Sequence, residues 1–110
     1  MISYDDFLKV DIRVGTIKEV QPFPEAKKPA YKLLIDFGPE IGLKQSSAQI
    51  THHYTLANLV GKQVLAVINF PEKQIGHYKS QVLTLGLADE QEHVVLVSPD
   101  THIPNGARLF

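Results

Sequence analysis

The stretch Asp11-Ile12-Arg13-Val14-Gly15-Thr16-Ile17-Lys18-Glu19-Val20 decides the fold class of this chain. It reads as a strand whose two-residue period breaks: Ile12 and Val14 are in phase, Ile17 is not, and Gly15 lies between them. A β-bulge near Gly15 is expected to return Ile17 to the core and to bend the strand sharply, as closing a small barrel requires.

Upstream, Ser3 to Leu8 can form one short helix. Ser3 serves as N-cap, Asp5 and Asp6 suit the first turn, and Phe7 and Leu8 are the docking residues. Downstream, Tyr31, Leu33, Ile35 and Phe37 alternate with Lys32 and Asp36, so Tyr31 to Phe37 is a strand with one buried face that ends at Gly38-Pro39. Leu43 to Gln49 follows as a third strand. Thr51 to Val60 is the most helix-like interior segment, about three turns long if fully helical, with Gly61 at the expected C-terminal cap. Val64 to Phe70, Gln81 to Leu87 and His93 to Val97 read as further strands, and Pro104-Asn105-Gly106 turns the chain into a last one, Ala107 to Phe110.

Three strands, a helix and then more strands is the order of an OB fold. The expected class is therefore all-β: a five-stranded barrel with a short interstrand helix and an N-terminal helical turn, in one domain over residues 1–110. An SH3-like barrel shares the strand count but leaves the helix unexplained.

The third strand, with its sequel, is unusual among these apolar segments. Leu43-Lys44-Gln45-Ser46-Ser47-Ala48-Gln49-Ile50 offers polar side chains on both faces, and a strand that forgoes burial usually faces a partner. Strands two and three of an OB barrel commonly supply the ligand face.

Eleven Lys plus Arg against twelve Asp plus Glu give a net charge of −1, so any polyanion site must be a local patch. The absence of cysteine excludes a disulfide framework, a thiolate metal site and a thiol nucleophile. No apolar run approaches the ~20 residues of a spanning helix, and the N-terminus lacks signal-peptide character. A soluble cytoplasmic protein without membrane insertion is expected.

Lys28, Lys32, Lys44, Lys73 and Lys79 cluster in and beside strands two and three and the loop after strand four. Ser46 and Ser80 lie within reach of the same expected groove, with Lys32 and Lys44 on adjacent strands. A handful of phosphate contacts would give salt-dependent RNA affinity, and Tyr31, Tyr54 and Tyr78 offer rings for stacking unpaired bases. On these residues alone, the lysines read rather as ordinary solvated surface and Tyr31 as core. Phe23, Phe70 and Ile75, near turns, offer an apolar cleft for extended peptide, or alternatively the ends of the core.

His52-His53 is the only adjacent pair of histidines, with His77, His93 and His102 scattered, so no metal site is expected. No serine sits in a nucleophile elbow and no carboxylate pair is placed for acid and base work. A hydrolase or nuclease is accordingly disfavoured, and no enzyme activity is expected.

Asp11-Ile12-Arg13-Val14-Gly15, Asp36-Phe37-Gly38, Asn69-Phe70-Pro71 with Gly76 and Ser80, and Pro104-Asn105-Gly106 together resemble the tRNA-binding domain family, over about Phe7 to Arg108. The blocks from Lys44 to Thr51, Asn69 to Pro71 and Ser80 to Leu83 resemble its secretion-chaperone branch in particular. Two departures from the tRNA-binding members, Ser47-Ala48 after Gln45-Ser46 and Val82-Leu83 after Ser80, are shared by that branch. The resemblance implies a homodimer without cofactor that binds unfolded preprotein segments, with links to the export machinery, and tRNA. The alternative is a free-standing structure-specific tRNA binder. Apolar Leu109 and Phe110 at one end and Phe7 and Leu8 at the other are the residues expected to meet a second subunit.

Overall fold

A computed structural model describes residues 1–110. Helix α1 (Tyr4–Leu8) starts at Ser3, whose side chain accepts from the Asp6 amide while Asp6 returns the bond to the Ser3 amide. Strands β1 (Ile12–Pro22), β2 (Tyr31–Asp36) and β3 (Leu43–Ala48) follow. After them come helix α2 (Leu56–Leu59), β4 (Gln63–Val67), β5 (Lys73–Ile75), β6 (Tyr78–Ser80), β7 (Leu83–Thr84), β8 (Gly86–Ala88) and β9 (Val94–Leu96). The main antiparallel sheet has the order β3-β2-β1-β4-β7, and β5-β6 and β8-β9 are separate hairpins.

The sheet curls because β1 changes partner along its length. Ile12 to Thr16 pair with β4, and Thr16 to Pro22 pair with β2, so Thr16 alone is shared. Where β1 has left β2, the C-terminal segment takes its place: Val14 donates to the Ala107 carbonyl at 3.1 Å, Gly106 to Val14 at 2.8 Å and Leu109 to Ile12 at 2.9 Å. The expected last strand is thus a single bridge, Arg13 to Arg108.

The expected bulge exists, but it lies between Ile17 and Glu19 rather than at Gly15. Gly15 and Ile17 already share the core face, and Val14 is buried on the opposite one, outside the main cluster. With Lys18 as the extra residue, the bulge instead turns Val20 back toward the core, where it pairs with buried Leu33. Gly15 serves close approach: a Cβ there would stand 2.6 Å from Ile35 Cγ2 and 2.8 Å from Phe37 Cδ1.

Ile17, Leu33, Ile35, Phe37, Ile50, Leu59 and Val64 fill the barrel. Leu59 is the one buried residue of α2, which spans a single turn instead of the expected ten residues. Thr51 to His53 form a turn, and the Tyr54 side chain is pinned by the Leu96 amide at 2.9 Å. Thr55 then caps the helix in a reciprocal box with Asn58, which sets its first turn. Gln81 to Leu87 divides into β7 and β8, and the segment after β4 forms the β5-β6 hairpin rather than a loop. No helix is long and apolar enough to cross a membrane.

Gly15→Val is expected to cost about 3 kcal/mol or more through overpacking against Ile35 and Phe37. At Gly42 a Cβ meets nothing within 4 Å, and only the left-handed φ of 84° penalises Ala, by about 1 kcal/mol. Thermal or urea melts of both variants measure the difference, and equal losses would refute the close-approach argument.

Candidate nucleic-acid and peptide interface

The outward face of β3 and the hairpin packed beside it form a groove. Leu33 pairs with Ser46 and Lys32 with Ser47, so Ser46 and Ala48 face the core while Gln45, Ser47 and Gln49 face out. The polar character of β3 therefore divides between two tasks.

The inward task is closure. β3 is an edge of the paired sheet, and Gln45 takes the free position beside it: its carbonyl accepts from the Gln81 amide at 2.8 Å, and its amide donates to the Gln81 side chain at 2.9 Å. The Ser46 hydroxyl, fully buried, donates to the Val82 carbonyl at 3.1 Å and lies 2.7 Å from the Thr84 hydroxyl, which can donate to it. Ser80 completes the seam by accepting from the Ser47 amide at 3.0 Å. Ser46, expected among the ligand contacts, is thus withdrawn from the surface, and the hydroxyl of Ser80 is engaged within the fold as well. A buried hydroxyl finds its partners inside, and here those partners are the opposite edge of the barrel.

The outward task is the groove, which has two adjoining clefts. One, of about 530 Å³, is lined by Lys27, Lys28 and Lys73 over Ser47 and Gln49, with Glu25 at its margin. The other, of about 270 Å³, is lined by Phe70, Pro71 and Leu83 beside the seam. Ser47, Gln49, Lys73 and Ile75 belong to both. None of the three lysines has a carboxylate within ion-pair distance.

The other expected residues fall in different places. Lys32 is half-buried, with its ammonium 5.0 Å from the Phe23 ring centre and 5.4 Å from that of Tyr78. Phe23 and Tyr78 meet edge to face at 5.3 Å. This cation and its two rings stand beside the basic cleft, bordering a smaller one shared with Glu25 and Gly76. Lys44 pairs with Ile35, three residues along from Ser47, so it lies on the opposite sheet face from Lys32 and does not share a groove with it. Lys79 pairs with Gln74, on the hairpin face opposite Lys73 and Ser80. Phe70 is 52% exposed and Ile75 half-buried, whereas Phe23 is 4% exposed, buried against Tyr78 beneath Lys32 and outside the main core cluster.

The three candidate stacking tyrosines are all engaged. Tyr31 donates to the Tyr54 carbonyl at 2.9 Å, and Tyr54 accepts from Leu96. Tyr78 reaches the Leu33 and Ser46 carbonyls at 3.3 and 3.4 Å. Burial pushes the Tyr78 phenol above its ordinary pKa, against a smaller lowering by the Ser46 carbonyl. Lys27 was missing from the expected set; its signal was adjacency to Lys28 in a loop that ends at buried Ala30.

The histidines are not scattered. His93 stacks on His52 with centroids 3.6 Å apart, and the His53 ring lies 2.7 Å from the Asp89 carboxylate. That hydrogen bond first, and the His93 amide next, hold the Asp89 carboxyl down at about 2.

Most of the motif residues maintain the scaffold. Asp11 binds Arg13 at 2.6 Å and approaches Arg108, Asn69 accepts from the Asp11 amide, and Thr16 and Gln63 both donate to the Asn105 side chain. None of these lines the groove, whereas Phe70, Pro71, Gly76 and Ser80 do.

An antiparallel OB barrel with a mixed basic and apolar groove beside β3 defines a ligand-binding domain. The chain matches, over residues 12–108, the family described as "Putative tRNA binding domain", and it belongs to that family. It is similar to the chaperone CsaA of Bacillus anthracis, at 47% identity over all of this chain and 99% of that one, with a TM-score of 0.94. It is likewise similar to the CsaA chaperone protein of Picrophilus torridus, at 53% identity over both chains in full, with a TM-score of 0.93. Within the family the chain is CsaA-like. It is also similar to the methionine–tRNA ligase of Methanococcus aeolicus, 35% identical over 109 residues, which cover 99% of this chain and only 16% of the ligase.

Ser46→Ala is expected to cost about 1–3 kcal/mol, because the Val82 carbonyl loses a buried donor, and to leave the ligand affinity of the folded protein unchanged. Urea melts and a binding titration check the two halves. An affinity loss without a stability loss would return Ser46 to the interface.

Proposed function

We propose that this chain is a non-catalytic binding protein, an export chaperone of the CsaA kind, that takes unfolded preprotein segments and also binds tRNA. The observation that carries the reading is the groove itself. Unpaired Lys27, Lys28 and Lys73 stand at one end, exposed Phe70 with Pro71 and Leu83 at the other, and Ser47 and Gln49 are shared by the two. Phosphates suit the first end, through counterion release, and apolar side chains of an extended segment suit the second. The lysines alone favour the second reading, a free-standing tRNA binder; the apolar cleft favours the chaperone.

Labelled tRNA and a labelled unfolded peptide titrated at two salt concentrations separate the two ends. Lys27→Ala, Lys28→Ala and Lys73→Ala together should weaken tRNA binding and flatten log K against log salt by ~0.7 per lost single-strand contact, with little change for the peptide. Phe70→Ala should weaken the peptide and spare the tRNA. Wild-type tRNA affinity with an unchanged salt slope in the triple variant would rule out the basic cleft, and peptide binding indifferent to Phe70 would rule out the apolar one.

The homodimer belongs to the same proposal. Leu8, Leu109 and Phe110 are exposed apolar groups on adjoining segments, tied by the bond from the Arg108 guanidinium to the Leu8 carbonyl at 2.8 Å. Burying them against a second copy removes that apolar surface from water. Sedimentation at micromolar concentration should show a species of twice the 12.3 kDa chain mass, weakened by removal of Leu109 and Phe110. A 12.3 kDa species alone would overturn the dimer.

A further inference from the structure

The turn after β3 and the β8-β9 hairpin bring three imidazoles together. His52 and His53 come from the first, and His93, forty residues beyond His53, comes from the second. Each offers one ring nitrogen such that all three lie within 4.8 Å of one another. The backbone beneath them is held: Tyr54 ties the turn to the hairpin through the Leu96 amide. Asp89 orders the hairpin loop by accepting from the Gln91 and His93 amides at 2.9 and 2.8 Å through one carboxylate oxygen, and its other oxygen lies 2.7 Å from His53 Nε2. His93 Nδ1 is the single side-chain polar atom buried in this fold without a hydrogen-bond partner.

We propose that His52, His53 and His93 form a binding site for a borderline divalent transition-metal ion, of the Zn²⁺, Ni²⁺ or Cu²⁺ class, with Asp89 orienting His53 from behind. The chemistry of the donors selects the ion. Three neutral imidazoles suit late first-row metals rather than Mg²⁺ or Ca²⁺, and three protein ligands leave a further position open. A carboxylate on the far nitrogen of a ligating histidine fixes the ring and raises its basicity; here it occupies Nε2 and leaves Nδ1 of His53 for the ion.

Ligands of a tetrahedral ion with bonds of ~2.05 Å stand about 3.3 Å apart, so the observed separations must contract. The parallel His52 and His93 rings cannot both direct a lone pair to one ion while stacked at 3.6 Å. His52, which is exposed, is the ring free to turn out of the stack. This motion makes the site one that closes on its ion, coupling the third-strand turn to the hairpin.

Calorimetric titration of the untagged chain, first treated with chelator, against ZnCl₂, NiCl₂ and CuCl₂ tests the site. One ion per chain in the micromolar range is expected, with a rise in melting temperature on addition of metal. His52→Asn lies at an exposed position and should still fold, yet weaken binding about 10-fold or more; Asp89→Asn should weaken it about 10- to 100-fold. His102→Asn, away from the cluster, should bind as the parent does. Binding of no ion in that range, or undiminished binding by both His52→Asn and His53→Asn, would overturn the proposal. Ring-proton NMR gives an independent reading: His52, His53 and His93 should shift together at one equivalent of Zn²⁺, and shifts confined to His77 or His102 would also overturn it.

Discussion

Closure of the sheet across the β3 edge is the constraint on which the rest depends. An open β3 would present unpaired backbone groups: Gln45 removes part of that exposure by bonding Gln81 through its carbonyl and amide, Ser47 by donating its amide to Ser80, and the Ser46 hydroxyl ties the strand to Val82 and Thr84 on the opposite edge. Because Ser46 must point inward to do this, Ser47 and Gln49 must point outward. Closure and the composition of the ligand face are therefore two consequences of one register. The same seam sets the hairpin beside β3, through Ser80 on the Ser47 amide and Tyr78 on the Leu33 and Ser46 carbonyls.

A groove built on that seam inherits its rigidity. Its floor is a strand paired on one side by β2 and engaged on the other by the Gln81–Thr84 segment, and its hairpin wall is anchored by buried or half-buried hydroxyls. The cations at its margin, by contrast, are long side chains without carboxylate partners. A fixed polar floor, with adaptable charges at one end and an apolar cleft at the other, is the combination on which the proposed reading rests.

Much of the fold was legible along the chain. The Ser3 cap with acidic first turn, the alternation of Tyr31 to Phe37 and the apolar run after Gly61 each carry a local physical signal, and each marks an element that formed. The misread places have physical causes. The Thr51 to Val60 helix shrank to one turn because Tyr54 is held by Leu96 and Tyr31, contacts that lie far away in sequence. The β5-β6 hairpin was missed because each arm has three residues, too few for a periodic signal. Gly15 was correctly singled out as unusual, but the reason is the space taken by Ile35 and Phe37 from the neighbouring strand.

Periods and propensities within a few residues were enough to mark the longer strands β1 to β4, to single out β3 as the polar one and to show which residue types are available for binding. Only the tertiary structure decided how those residues are shared out. Lys32 and Lys44 looked like neighbours and lie on opposite faces; Ser46 looked like a ligand contact and closes the barrel; Lys27 joins Lys28 and Lys73 in one cleft; His93 lies on His52. The physical reason is that a side chain's face follows from its strand's register against a partner. That register is set by where the sheet closes and where β1 bulges, both of which are pairings between segments far apart in the chain.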